Sequence, residues 1–168
     1  MSAVWLADAD EAATVAWLLV KFRDHYGRSS PSEDSLLGSV RQLIGRSDTE
    51  FWLAAADEQA PATGICQLRF RHSVWTAAED CWLEDLYVAP EARRLGLGRA
   101  LVQRTLDRAR ERGCHRVELD TNEDNHEAIR LYRSLGFSET AKGASRSLFF
   151  GARVARGSSR SSAATRVL

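Results

Sequence analysis

No charge of one sign dominates this chain of 168 residues: 23 lysines and arginines balance 23 aspartates and glutamates, and the formal net charge is +0. Without a basic excess there is no electrostatic footprint for bulk nucleic-acid binding. No apolar run approaches the length of about 20 residues that spans a bilayer. Trp5 and Leu6 are followed at once by Asp8, Asp10 and Glu11, which is not the pattern of a signal peptide. Cysteines number 3, an odd count without metal-ligand spacing, so neither a disulfide framework nor a metal site is expected. Reduced structural thiols in a cytoplasmic protein fit Cys66, Cys81 and Cys114 better. No segment repeats. What is present, 44% hydrophobic and 27% charged residues, suits one soluble globular domain with a full core.

The most patterned stretch covers residues 82–102, WLEDLYVAPEARRLGLGRALV. Trp82, Leu83, Leu86, Tyr87 and Val88 read as an apolar strand carrying Glu84 and Asp85 in its middle. Ala89-Pro90 ends it, because proline has no N–H to give a ladder. After Arg93-Arg94-Leu95-Gly96-Leu97-Gly98, the residues Leu97, Leu101, Val102, Thr105, Leu106 and Ala109 recur at helical spacing. A helix N-terminus reached through such a turn has unpaired amides and the positive end of the helix dipole, which suits a phosphate or pyrophosphate. Arg99-Ala100 stands where a Walker loop needs Lys-Ser or Lys-Thr. Leu101 stands where the dinucleotide fingerprint has its third glycine. For the six residues alone, an ordinary tight strand-to-helix connection stays open.

Ahead of this stretch, residues 3–7 are expected to form a first strand, with Asp8 or Asp10 capping a helix over 11–25. Ser30-Pro31-Ser32-Glu33 has the form of a capping box with proline at the first helical position. Leu36, Leu37, Val40, Leu43 and Ile44 then make an apolar stripe to Gly45. Strands over 50–56, 64–72 and 82–88, joined by loops, imply an antiparallel meander. In the middle one, Ile65, Gln67, Arg69 and Arg71 share a face, and Cys66, Leu68 and Phe70 the other. A strand over 115–121 follows the long helix and must lie parallel to 82–88 by a right-handed crossover. Ala128, Leu131, Tyr132 and Leu135 mark a last helix, and 137–141 and 146–150 read as two final strands. The class is α/β in the α+β sense: one domain over 1–151, with a mixed, mostly antiparallel sheet of six to seven strands and about four helices. Residues 152–168 contain no acid and read as a flexible basic tail.

One helix and one strand beyond Arg93-x-x-Gly96-x-Gly98 comes Asn125-x-x-Ala128-x-x-Leu131-Tyr132-x-x-x-Gly136-Phe137. In this order the two motifs resemble the acyl-CoA pyrophosphate loop and the second signature of the GNAT N-acetyltransferase superfamily, closely over about residues 82–139. The resemblance implies a sheet splayed between its fourth and fifth strands, with the pantetheine arm of acetyl-CoA held in the notch by main-chain groups of Leu86, Tyr87 and Val88. It implies pyrophosphate on the amides of Arg93, Arg94, Leu95, Gly96, Leu97, Gly98 and Arg99. Arg93 and Arg94 would add charge, and Asn125 would touch the cofactor. The first two helices would wall a substrate cleft. A homodimer is implied as well, and no metal, nucleic acid or membrane.

The implied reaction is direct attack of a primary amine on the thioester carbonyl of acetyl-CoA. A lysine-type amine, with a pKa of about 10.4, arrives protonated, so a proton must leave before or during attack. Tyr132 matches the tyrosine that many members place near the sulfur as the acid; otherwise it is one more residue of its apolar stripe. Glu84 is the candidate base, on the expectation that burial in an apolar strand raises its pKa. A water relay, or acids that are salt-bridged or solvent-facing, are the alternatives. Asp85 points to the opposite face in a regular strand, which a bulge would change. Glu84, Asp85 and Asp120 near the acceptor side would attract a small cationic amine, unless they are simply a solvated rim. Two other functions fit the same motifs: acetylation of protein N-termini or lysines, and acyl-CoA binding without catalysis.

Overall fold

Strand β1 (Ala3–Leu6) runs antiparallel to β2 (Thr49–Ala55), β2 to β3 (Gly64–Ser73), and β3 to β4 (Ala78–Val88); β5 (Val117–Glu118) lies parallel to β4. The sheet order is therefore the chain order, β1-β2-β3-β4-β5. The computed structural model describes residues 2–139 and residue 152, and residues up to Phe137 form one unit. Two final strands over 137–141 and 146–150, and the tail over 152–168, lie outside the described residues but for a few positions. Among the described residues the sheet has five strands, where six to seven are expected.

Helices α1 (Ala12–His25) and α2 (Glu33–Leu43) connect β1 to β2, α3 (Leu97–Glu111) connects β4 to β5, and α4 (His126–Ser134) follows β5. The two faces of the sheet bury different cores. Val15, Leu18 and Val40 from α1 and α2 pack with Phe51, Leu53, Ile65 and Tyr87 on one side. Leu97, Leu101 and Val102 from α3 and Tyr132 from α4 pack with Cys66, Leu68, Phe70 and Leu83 on the other. Alternate residues of β3 and β4 thus feed alternate layers, as the period-2 pattern requires.

Local starts and stops follow side-chain chemistry. Asp8 accepts from the amides of Asp10 and Glu11, and Glu11 reaches back to the Asp8 amide, a capping box that turns the chain into α1. The start of α2 differs from the sequence expectation. Its cap is Ser32, which accepts from the Ser35 amide, and Pro31 lies outside the helix. With that frame, Glu33 and Asp34 both fall in the first turn, where the helix dipole favours acids.

The strand carrying the acids begins at Ala78, four residues earlier than its apolar pattern suggests. Ladder pairs Arg71↔Asp80 and Ser73↔Ala78 extend the hairpin through polar sequence, and Asp80, 2% exposed, is held by Arg116. Trp75 crowns the tip of this hairpin at 95% exposure. By contrast, β5 is shorter than the expected 115–121. Its ladder covers only Cys81↔Val117 and Trp82↔Glu118. Beyond that pair the two parallel strands part, leaving a notch between the Leu83–Val88 half of β4 and the Leu119–Thr121 stretch.

Candidate active site

The notch is framed by three things: the C-terminal half of β4, the residues following β5, and the N-termini of α3 and α4. In β4 the ladder is irregular. Gln67 pairs with Asp85, but Leu68 pairs with Leu83, so Glu84 is an extra residue, a β-bulge. Leu83 faces the α3 core through Leu68, and Asp85 faces the α1/α2 side through Gln67. Glu84 turns to the α1/α2 side as well, where its carboxylate lies 4.0 Å from Arg69. The bulge therefore sets both acids on one face, where regular alternation sends them to opposite ones.

Their environments differ, and not as the sequence suggests. The Glu84 side chain is 45% exposed beside an Arg69 at 38%, so the burial expected from the sequence is missing. A bulged residue is lifted off the pleat, which explains the exposure. Asp85 is the more enclosed of the two, half-buried where Glu84 is exposed. Its carboxyl is pushed up to about 6, first by burial and then by the negative charges of Glu84 and Asp120. Asp120, two positions past the last ladder pair, lies across the notch.

From the other side comes Tyr132, on the inner face of α4 and 8% exposed. Its ring packs on Phe137 with centroids 5.8 Å apart. Burial pushes the phenol up to about 12, helped by Tyr26, Cys66 and Asp120, so it is a neutral donor throughout the physiological range. Tyr26, at the end of α1, was not singled out by sequence; with Asp120 it brings four groups (Asp85, Asp120, Tyr132, Tyr26) within electrostatic reach around the notch. Its signal, one aromatic at a helix end, is too common to read.

The glycine-rich turn has the shape of an anion cradle. Gly96 is the N-cap of α3 at φ 81°, and Arg94 two residues before it is also left-handed at φ 66°. Non-glycine residues adopt that conformation at a cost; here it folds successive amides inward above the first turn of α3. At Gly98 a Cβ would stand 3.5 Å from Leu131 Cδ2 of α4, an ordinary packing contact. The arginines divide. Arg94 is exposed. Arg93 turns back, donating from Nε to the Val88 carbonyl at 3.3 Å and lying 3.3 Å from His25 Nε2. Arg99 donates to Ser134 Oγ at 2.6 Å and ties α3 to the end of α4.

Asn125 serves its helix first. Its Oδ1 accepts from the Ala128 amide at 3.4 Å and its Nδ2 donates to Thr121 Oγ1 at 3.2 Å. Leu86, Tyr87 and Val88 end β4, and the Tyr87 ring meets Phe22 of α1 at 5.3 Å between centroids. Beside it, Trp17, Lys21, His25, Tyr87 and Glu91 line an open pocket of about 290 Å³ at the strand end, away from the acids. The turn carries two left-handed residues, Arg94 and the N-cap Gly96, and the raised carboxyl of Asp85 and the neutral phenol of Tyr132 both feel Asp120. Among the described residues no group of three or more His, Cys, Asp and Glu is arranged to hold a metal ion, and no helix is long and apolar enough to cross a membrane.

Known proteins carry the same architecture. The profile of the acetyltransferase (GNAT) family matches residues 12–137. Aminoglycoside N(6')-acetyltransferase type 1 of Acinetobacter haemolyticus is 32% identical over 135 residues, 80% of this chain and 90% of that one. Thialysine N-epsilon-acetyltransferase of Sus scrofa is 36% identical over 67 residues, 40% of this chain and 39% of that one. A crystal structure of a probable acetyltransferase superposes with a TM-score of 0.79 at 30% identity, covering 90% of this chain and 99% of the other.

Proposed function

The chain belongs to the GNAT acetyltransferase family and is an acyl-CoA-dependent N-acetyltransferase, and from that premise we propose that it moves the acetyl group of acetyl-CoA to a primary amine of a small cationic molecule. The observation that carries the reading is a half-buried carboxyl raised to about 6 and a buried neutral phenol that both feel the charge of Asp120. Acetyl-CoA, when bound, supplies the thioester carbonyl that the amine attacks.

In this reading the amides from Arg93 to Arg99 hold the pyrophosphate, Arg94 adds charge, and the main chain of Leu86 to Val88 lies along the pantetheine arm. The acceptor enters from the α1/α2 side, drawn by Glu84, Asp85 and Asp120. Glu84, exposed on the bulge, holds the ammonium. Asp85 takes the proton from the attacking nitrogen, since a carboxyl near 6 is ionised at neutral pH yet a stronger base than an ordinary aspartate. As the C–S bond breaks, the Tyr132 hydroxyl gives its proton to the sulfur. Asn125 caps the helix that carries Tyr132 and so positions it. Compared with the sequence reading, base and holder exchange places between Glu84 and Asp85, because Glu84 on the bulge is exposed and Asp85 is half-buried.

The relatives named for aminoglycoside and thialysine acetylation support a small amine acceptor. Three free cysteines, two of them buried, support a reducing compartment, the cytoplasm. A homodimer belongs to the same proposal and is read by light scattering. The deciding experiment is thiol release from acetyl-CoA against polyamines, amino sugars, amino acids and short peptides. Release with small cationic amines is expected. Release with peptides alone gives the protein-acetylation reading. A thermal shift with CoA but no release under any amine gives the binding module.

A further inference from the structure

Gln67 is a buried side chain that the mechanism above leaves unused. It is 6% exposed and stands in mid-β3 between its ladder partners, Phe51 of β2 and Asp85 of β4. Cross-strand partners share a face, so the three side chains form one row on the side that α1 and α2 cover. Phe51 and Ile65 beside it are core residues, and a leucine at position 67 would extend that core. An amide there must be justified by hydrogen bonds, because an unpartnered buried amide is destabilising. Among the described residues nothing hydrogen-bonds it. The two side-chain atoms that are sealed from solvent and unpartnered are Thr76 Oγ1 and Asp80 Oδ1. The Gln67 amide is not one of them and so is not wholly sealed from solvent, and its ladder partner on that face is Asp85.

Resting on the acetyl-transfer reading, we propose that Gln67 is a specificity residue of the acceptor site: its amide hydrogen-bonds a hydroxyl or ring oxygen close to the attacking nitrogen. The chain then takes a polyhydroxylated primary amine in preference to a bare alkylamine. The register sets the distance. Antiparallel partners lie about 4.5–5.5 Å apart at Cα, so an amine offering its proton to Asp85 places a hydroxyl one or two carbons away within reach of Gln67. The amide has a donor and an acceptor end, which suits a hydroxyl in either role. Charge alone, from Glu84 and Asp120, does not distinguish an amino polyol from a linear amine; a buried amide does, since the linear amine leaves it unpaired.

The test compares 1-amino-1-deoxysorbitol with hexylamine as acceptors, reading thiol release with acetyl-CoA for the wild type and for Gln67→Leu. The wild type is expected to favour the aminopolyol by about a hundredfold or more in kcat/KM, and Gln67→Leu to bring the two amines within about threefold of each other. Thermal melting shows whether the variant is folded, and the wild-type ratio stands without it. A wild type that turns over hexylamine as well as the aminopolyol overturns the role of Gln67 and leaves acetyl transfer intact, as does a variant that loses both activities in equal proportion. Release with neither amine nor any other member of the wider panel removes the acetyl-transfer reading, and this one with it.

Discussion

Asp85 stands opposite Gln67 in the β3–β4 ladder, yet one step along β3 Leu68 stands opposite Leu83. That offset puts two carboxylates on one face and leaves Glu84 exposed and Asp85 half-buried. The roles assigned to the notch descend from this offset, and each can be tested separately.

The carboxyl of Asp85, near 6, must be ionised to accept a proton. kcat/KM for an amine acceptor is expected to fall tenfold per pH unit below about 6. Asp85→Asn is expected to lower it by about a hundredfold or more. A flat wild-type profile between pH 5 and 7 would exclude Asp85 as the base.

The same residue weakens the fold when charged. Its folded pKa lies above the ordinary aspartate value of about 3.9. Between those values the folded state keeps a proton that the unfolded state has lost, so stability declines as pH rises toward 6 and the full cost is present above it. Asp85→Asn is thus expected to gain about 1–3 kcal/mol at pH 8 and little at pH 4. Thermal melts of both proteins at the two pH values measure it, and an equal gain at both would point to packing instead.

Glu84→Gln is expected to raise KM for the amine while kcat and the acid limb of the pH profile persist. The exposed carboxylate holds charge but does not take the proton in this scheme. Loss of the acid limb in that variant would return the role of base to Glu84.

Tyr132→Phe keeps the ring on Phe137 and removes the acid. Turnover is expected to drop by about a hundredfold, with CoA affinity by calorimetry unchanged and the melting temperature within a few degrees. An unchanged kcat would mean that the thiolate leaves without help.

Far from the notch, Glu50 is 7% exposed and takes both Arg108 nitrogens at 2.8–3.1 Å, with Trp52 Nε1 at 2.9 Å and Arg112 at 3.4 Å. Removing one member of such a buried pair strands the others. Glu50→Ala is expected to cost about 3–5 kcal/mol in urea unfolding, with the pH profile of any remaining activity unaltered.

Much of this architecture is legible in the sequence because it is written in local signals. The Gly96-x-Gly98 turn, the stripes of α3 and α4 and the Asp8 cap all fall where spacing places them. The two faces of β3 follow from alternation alone. What is not legible depends on partners distant in the chain. Alternation carries no mark of the bulge at Glu84, since only the pairing of Leu68 with Leu83 reveals it. The polar start of β4 is held by β3 and by Arg116, 36 residues beyond Asp80. The cap of α2 reads as Ser30 ahead of Pro31, and the structure moves it to Ser32. Gln67 reads as one polar residue on an alternating face; its meaning comes from being shut in opposite an acid.

The bulge also bears on how this strand can change over generations. Losing one residue from a central strand ordinarily turns every later side chain to the wrong face. Here Leu83 and Asp85 already alternate as immediate neighbours against Leu68 and Gln67. Glu84 is in that sense an inserted letter whose deletion leaves the remaining word readable. The lineage can gain or discard the carboxylate that greets the substrate in a single codon step, without repacking the interior.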